Sequence, residues 1–121
     1  MKSQTYNART LFFPFIVLIF SGAIYSETKC VSLIKSNQCM DAIAACSLAA
    51  EENNPKAQIA LSKLYSNTLY GDFRRNYKKS FQWMEAAANQ GNTKAEVEMA
   101  EMYMGGEVVP MNARKAKAWY E

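Results

Sequence analysis

One feature narrows the folds open to this chain more than any other: it repeats itself. The stretch NPKAQIALSKLY (54–65) lies in register with NTKAEVEMAEMY (92–103) at an offset of 38, sharing Asn54/Asn92, Lys56/Lys94, Ala57/Ala95 and Tyr65/Tyr103. A second pair, YKKSFQW (77–83) and ARKAKAW (113–119), matches at an offset of 36, with Lys79/Lys115 and Trp83/Trp119 coincident. A third trace, AAEENNPKA (49–57) against AANQGNTKA (87–95), returns to 38. Self-similarity at this period is the mark of stacked supersecondary units, each too small to bury its own apolar face.

Each block reads as a helix. Ala57, Ala60, Leu61, Leu64 and Tyr65 fall at i, i+3, i+4, i+7 and i+8, one apolar stripe. The later copy, Ala95, Met99, Met102 and Tyr103, is weaker, with Glu98 where Ala60 stood. Ser80, Trp83, Met84 and Ala87 form a further stripe, echoed by Ala116, Trp119 and Tyr120. Asn54 and Asn92 are expected as N-caps, Pro55 suits a first turn, and Gly91 suits a left-handed helix end. Breaker-rich segments, SNTLYGD and GGEVVPMN, separate the stripes, and no stretch alternates with a period of two. The expectation is an all-α chain: an α-solenoid of antiparallel helix hairpins of 36–38 residues, with alanines letting helices approach closely.

Four segments follow: a signal peptide over 1–26, a partial hairpin with the cysteines over 27–53, a first unit over 54–91 and a second over 92–121. The opening has Lys2 and Arg9, an apolar run from Leu11, then small residues, the order of a secretory signal. Cleavage is expected after Ala23 or after Ser26. Even carried to Tyr25 the run is about 15 residues, short of the roughly 20 that span a bilayer. The alternative is an uncut segment tethering the repeats to the inner membrane. Removing 1–26 leaves twelve basic against eleven acidic residues, a net charge of +1. The basic balance therefore belongs largely to the export signal, and the RRNYKK cluster is no argument for nucleic acid. A periplasmic or secreted location follows, and an oxidising compartment permits a disulfide. Cys39 and Cys46, seven apart on one straight helix, are about 10 Å from each other, too far to bridge. Ser36-Asn37-Gln38 can turn the chain, so Cys30–Cys39 is favoured, with Cys46 buried as a small hydrophobe.

These residues resemble the Sel-one-like repeat, a relative of the tetratricopeptide repeat, whose pattern runs A-x3-L-G-x2-Y-x2-G-x-G-V-x2-D-x2-K-A-x2-W-x3-A-A-x2-G. The second unit matches at Ala95, Met99 for Leu, Tyr103, Gly106, Val109, Asn112 for Asp, Lys115, Ala116 and Trp119. The first matches at Ala57, Leu61, Tyr65, Lys79, Ser80 for Ala, Trp83, Ala87, Ala88 and Gly91. The departures are Thr68 and Tyr70 at the glycine positions of the first unit and Val108 at the second glycine position of the other. The resemblance implies a right-handed superhelix that acts as an adaptor or scaffold, binding a protein or peptide on its concave face. Ala57, Leu61, Tyr65, Trp83, Ala87, Ala95, Met99, Tyr103 and Trp119 would form the repeat core. By the tetratricopeptide arrangement, the first helix of each hairpin lines the concave face, offering Lys56, Lys63 and Ser66 in one unit and Lys94 and Glu101 in the next. Three lysines against one glutamate point to an acidic peptide or a carboxylate. The second unit stops after Trp119, short of the A-A-x2-G that follows Trp83. The expectation is a truncated product, or an exposed end that pairs with another copy.

No enzyme is expected. The chain lacks histidine, the commonest general base and metal ligand, and its cysteine spacings fit no zinc pattern. No metal or other cofactor is called for. SLIK (Ser32–Lys35) fits S-x-x-K, in which a lysine activates a serine that penicillins acylate, but the companion S-D-N and K-T-G motifs are absent. A penicillin-interacting enzyme using Ser32 and Lys35 is the distant alternative.

Overall fold

The computed structural model describes residues 25–66 and 75–121. The expected export segment, apart from Tyr25 and Ser26, lies outside these, as do Thr68 and Tyr70. Among the described residues there are helices and no strand. Helix α1 covers residues 25–35, followed by α2 (Cys39–Glu51), α3 (Pro55–Ser66), α4 (Tyr77–Ala88), α5 (Thr93–Gly105) and α6 (Ala113–Tyr120). None of the described helices is long and apolar enough to cross a membrane.

The helices start where asparagine stands. Asn54, Asn76, Asn92 and Asn112 each accept, through Oδ1, a hydrogen bond from the backbone N–H three residues on, at 3.0–3.2 Å. Each satisfies one of the amide groups that a helix N-terminus leaves without an internal partner. The joints between hairpins are left-handed at Asn53 (φ 60°) and Gly91 (φ 77°), the same place in two successive units. Helix α5 ends at Gly106 (φ 69°), whose amide donates to the Met102 carbonyl.

Packing follows the stripes. One core gathers Cys30, Ala42, Ala45, Cys46, Ala49 and Ala50 from α1 and α2 against Ala57, Leu61, Leu64 and Tyr65 of α3. The next gathers Ile59, Met84, Ala87, Ala88, Ala95 and Met99. Trp83, Tyr103 and Trp119 of the expected core are half-buried at the cluster margins. Alanine at the contact surfaces lets the backbones come close, and two buried serines exploit the proximity. Ser62 Oγ of α3 donates to the Ser80 carbonyl of α4 at 2.7 Å. Gln58 of α3, also buried, links α2 to the turn after α4: its Nε2 donates to the Ala50 carbonyl, and its Oε1 accepts from Gln90 Nε2 at 2.7 Å. No buried side-chain polar atom among the described residues lacks a partner, as a well-packed interior requires.

The cysteine expectation is corrected. The disulfide joins Cys30 to Cys46 with Cα atoms 4.8 Å apart, and Cys39 is the free thiol. The reason is antiparallel geometry. Helix α1 runs to residue 35, so the stretch after Cys30 is helix rather than loop. The hairpin then folds about Gln38, and residues equally far from Gln38 face each other; Cys30 and Cys46 each lie eight positions away. Cys39, at the turn itself, has its Sγ near Asn37 instead.

Candidate functional site

The first helices of the hairpins, α1, α3 and α5, share one side of the molecule and are tied across their junctions by ion pairs. Glu27 of α1 holds Lys56 of α3 (Oε1–Nζ 3.3 Å), and Lys63 of α3 holds Glu98 of α5 (Nζ–Oε1 2.5 Å). Between these pairs lies a hollow of about 370 Å³. Its floor is apolar, Ile34 from α1 with Ile59, Ala60 and Leu64 from α3, and its rim carries Lys56, Lys63 and Lys94. The α3 members fall at i, i+3, i+4, i+7 and i+8, a single helical stripe, so local periodicity alone brings them to one face. Seven residues of helix separate Lys56 from Lys63, about 10 Å along the axis.

Three of the five expected groove residues, Lys56, Lys63 and Lys94, are thus brought together. Ser66 and Glu101 are not among the lining residues. The Ser66 hydroxyl donates to the Lys63 carbonyl at the end of α3, and Glu101 stands exposed on α5. Sequence reasoning missed the floor and the counter-charges. Ile59 lay off the stripe chosen as core, and Ile34 lay before the first recognised unit. Glu98 carried a usable signal: it occupies in α5 the position that Ala60 holds in α3, and Ala60 lines the hollow. Glu27 accepts from Asn54 Nδ2 at 2.8 Å. That hydrogen bond, helped by Lys56, holds its carboxyl below the usual range, against the opposing effect of burial. Lys94 has no acidic partner within ion-pair reach among the described residues.

The hollow's described lining consists of lysine ammonium groups and hydrocarbon. Ser32 and Lys35 lie elsewhere, on the exposed flank of α1, and the Ser32 hydroxyl donates to the Lys29 carbonyl at 2.9 Å. Among the described residues no group of three or more His, Cys, Asp or Glu side chains is placed to hold a metal ion. The repeat lysines have a different duty. Lys79 sits over the Tyr65 ring (5.2 Å to the centroid) and Lys115 over Tyr103 (5.3 Å), the same cation–π contact in both units.

Paired helices stacked in register, with a shared first-helix face, define an α-solenoid. The Sel1 repeat model matches residues 55–92 and 93–121, more than half of the sequence, and the chain belongs to that family. Sel1 repeats serve in protein–protein interaction. No curated protein and no solved structure matches the chain.

Proposed function

We propose that this protein is an exported adaptor that docks a protein or peptide partner in the hollow across α1, α3 and α5, on the concave face of the solenoid. The observation that carries the reading is the convergence of three rim lysines, drawn from two repeat units, on one apolar floor. Such a surface offers oriented charge for specificity and hydrocarbon for affinity. Export is supported by the n-region and apolar run at the start of the chain and by a fully buried disulfide, a bond that persists in oxidising compartments.

Affinity capture from the envelope fraction, with the wild type beside Lys94→Glu, tests the reading. Lys94 is the clean position because Lys56 and Lys63 also hold the helices together through Glu27 and Glu98. The expected outcome is a partner retained by the wild type and lost from the variant, at an unchanged melting temperature. The same sample should start at Ile24 or Glu27. Equal capture by both proteins would refute the groove assignment, and an intact Met1 would replace export with the tethered form.

A further inference from the structure

We infer that the groove's occupant is an acidic peptide segment with an apolar anchor: a Leu- or Met-sized side chain bracketed by Asp or Glu. The inference rests on the groove being the docking surface, and it fixes the chemistry of what docks. Among the described residues, every charged one lining the hollow is a lysine. The two glutamates that reach the rim do not exhaust these charges. The Lys56 and Lys63 side chains remain 78% and 51% exposed while paired, and an ammonium has three donors, so each can take a second carboxylate. Lys94, one unit along from Lys56, pairs with no carboxylate among the described residues. Bringing an acidic segment in therefore breaks no ion pair to a described residue at Lys94, whereas a basic segment meets three ammonium groups.

The floor supplies the second half of the code. Ile34 and Ala60, half-buried, expose hydrocarbon between the charges above the buried Ile59 and Leu64, and a purely polar acidic peptide would leave that patch uncovered. Lys56 and Lys63, about 10 Å apart along α3, stand on either side of Ile59 and Ala60, so acidic residues flanking a single apolar one fit the spacing. Glu98 is then a competitor as well as a strut: it occupies Lys63 from within the chain.

Fluorescence anisotropy with the full protein and the fluorescein-labelled peptide Glu-Glu-Leu-Glu-Glu tests this. Lys-Lys-Leu-Lys-Lys and Glu-Glu-Ser-Glu-Glu serve as matched probes. The acidic leucine peptide should bind, the other two should bind at least about fivefold more weakly, and added salt should weaken it. Lys94→Glu should weaken it about fivefold or more, and Glu98→Gln should tighten it a few-fold by releasing Lys63, which a merely structural role for Glu98 would not do. Melting temperatures read alongside exclude unfolding as the cause. Equal binding of the serine or lysine probe overturns the proposed chemistry, while continued sensitivity to Lys94→Glu would leave the groove standing. Binding that ignores both Lys94→Glu and Glu98→Gln overturns the groove itself. No binding by any probe at millimolar concentration overturns the acidic-apolar class, and capture of a partner in a Lys94-dependent way would then still support the groove.

Discussion

At the scale of single residues, short polar side chains set the geometry and long charged ones join the units. Asparagine opens four of the six described helices, each time by accepting the backbone amide three positions on. Asn54 does more: its Nδ2 reaches Glu27, so one residue caps α3 and anchors α1. Because Asn54 first, and Lys56 with it, lower the folded-state pKa of Glu27, its carboxylate favours the folded state at neutral pH. That contribution is complete above the ordinary glutamate value of about 4.3 and is lost as the pH falls through the lowered folded-state value. Glu27→Gln keeps an oxygen for Asn54 but removes the charge. The wild type should therefore melt higher than the variant at pH 7, with the gap closing below about pH 4; a gap that is constant from pH 7 to pH 3 would mean that Glu27 acts only through its shape. Legibility at this scale was uneven. Lys56, Lys63 and Lys94 could be found because repeat register assigns a face to each position. Glu27 could not, since its partner lies 27 residues away and no repeat copy precedes it.

At the scale of elements, the stripes at helical spacing were enough to place α3 to α6, because burial of a periodic apolar face is a local property of sequence. The α1–α2 hairpin was harder. Its link is only Ser36-Asn37-Gln38, with Asn37 left-handed (φ 60°), and neither helix matches the repeat pattern well. Without the point of reversal fixed, the partner of Cys30 could not be read; once the turn centres on Gln38, only Cys46 faces it. Closing a loop with a sequence separation of 16 contributes about 3 kcal/mol in the chain-entropy account. Both sulfurs are fully buried, so the bond also fills the core between Ala42, Ala49 and Leu61. Replacing both cysteines by serine is expected to cost about 2–5 kcal/mol in chemical denaturation, whereas Cys39→Ser should change stability by less than about 0.5 kcal/mol. Peptide mapping of the unreduced protein should recover Cys30 linked to Cys46, and a Cys30–Cys39 peptide would overturn the hairpin register.

At the scale of the whole molecule, α3 is the hub. It gives Ala57, Leu61, Leu64 and Tyr65 to one core and Ile59 to the next, and its serine and glutamine side chains hydrogen-bond to α2 and α4. The two ends are unequal. The α1–α2 end is cross-linked and rich in fully buried alanine, whereas α6 buries Ala116 and leaves Trp119 only half-covered. In a solenoid, stability is a sum of unit and neighbour terms, so a lesion near one end should stay there. Met99 is fully buried between α4 and α5, and Met99→Ala removes contacts worth about 2–5 kcal/mol. Hydrogen exchange in that variant should quicken across α5 and α6 and leave α1 to α3 near wild-type protection. Leu61→Ala, in the hub, removes a side chain of the stapled core and should loosen α2, α3 and α4 together. If both substitutions raise exchange evenly over every described helix, the chain opens as one cooperative block, and the nearest-neighbour description fails for it.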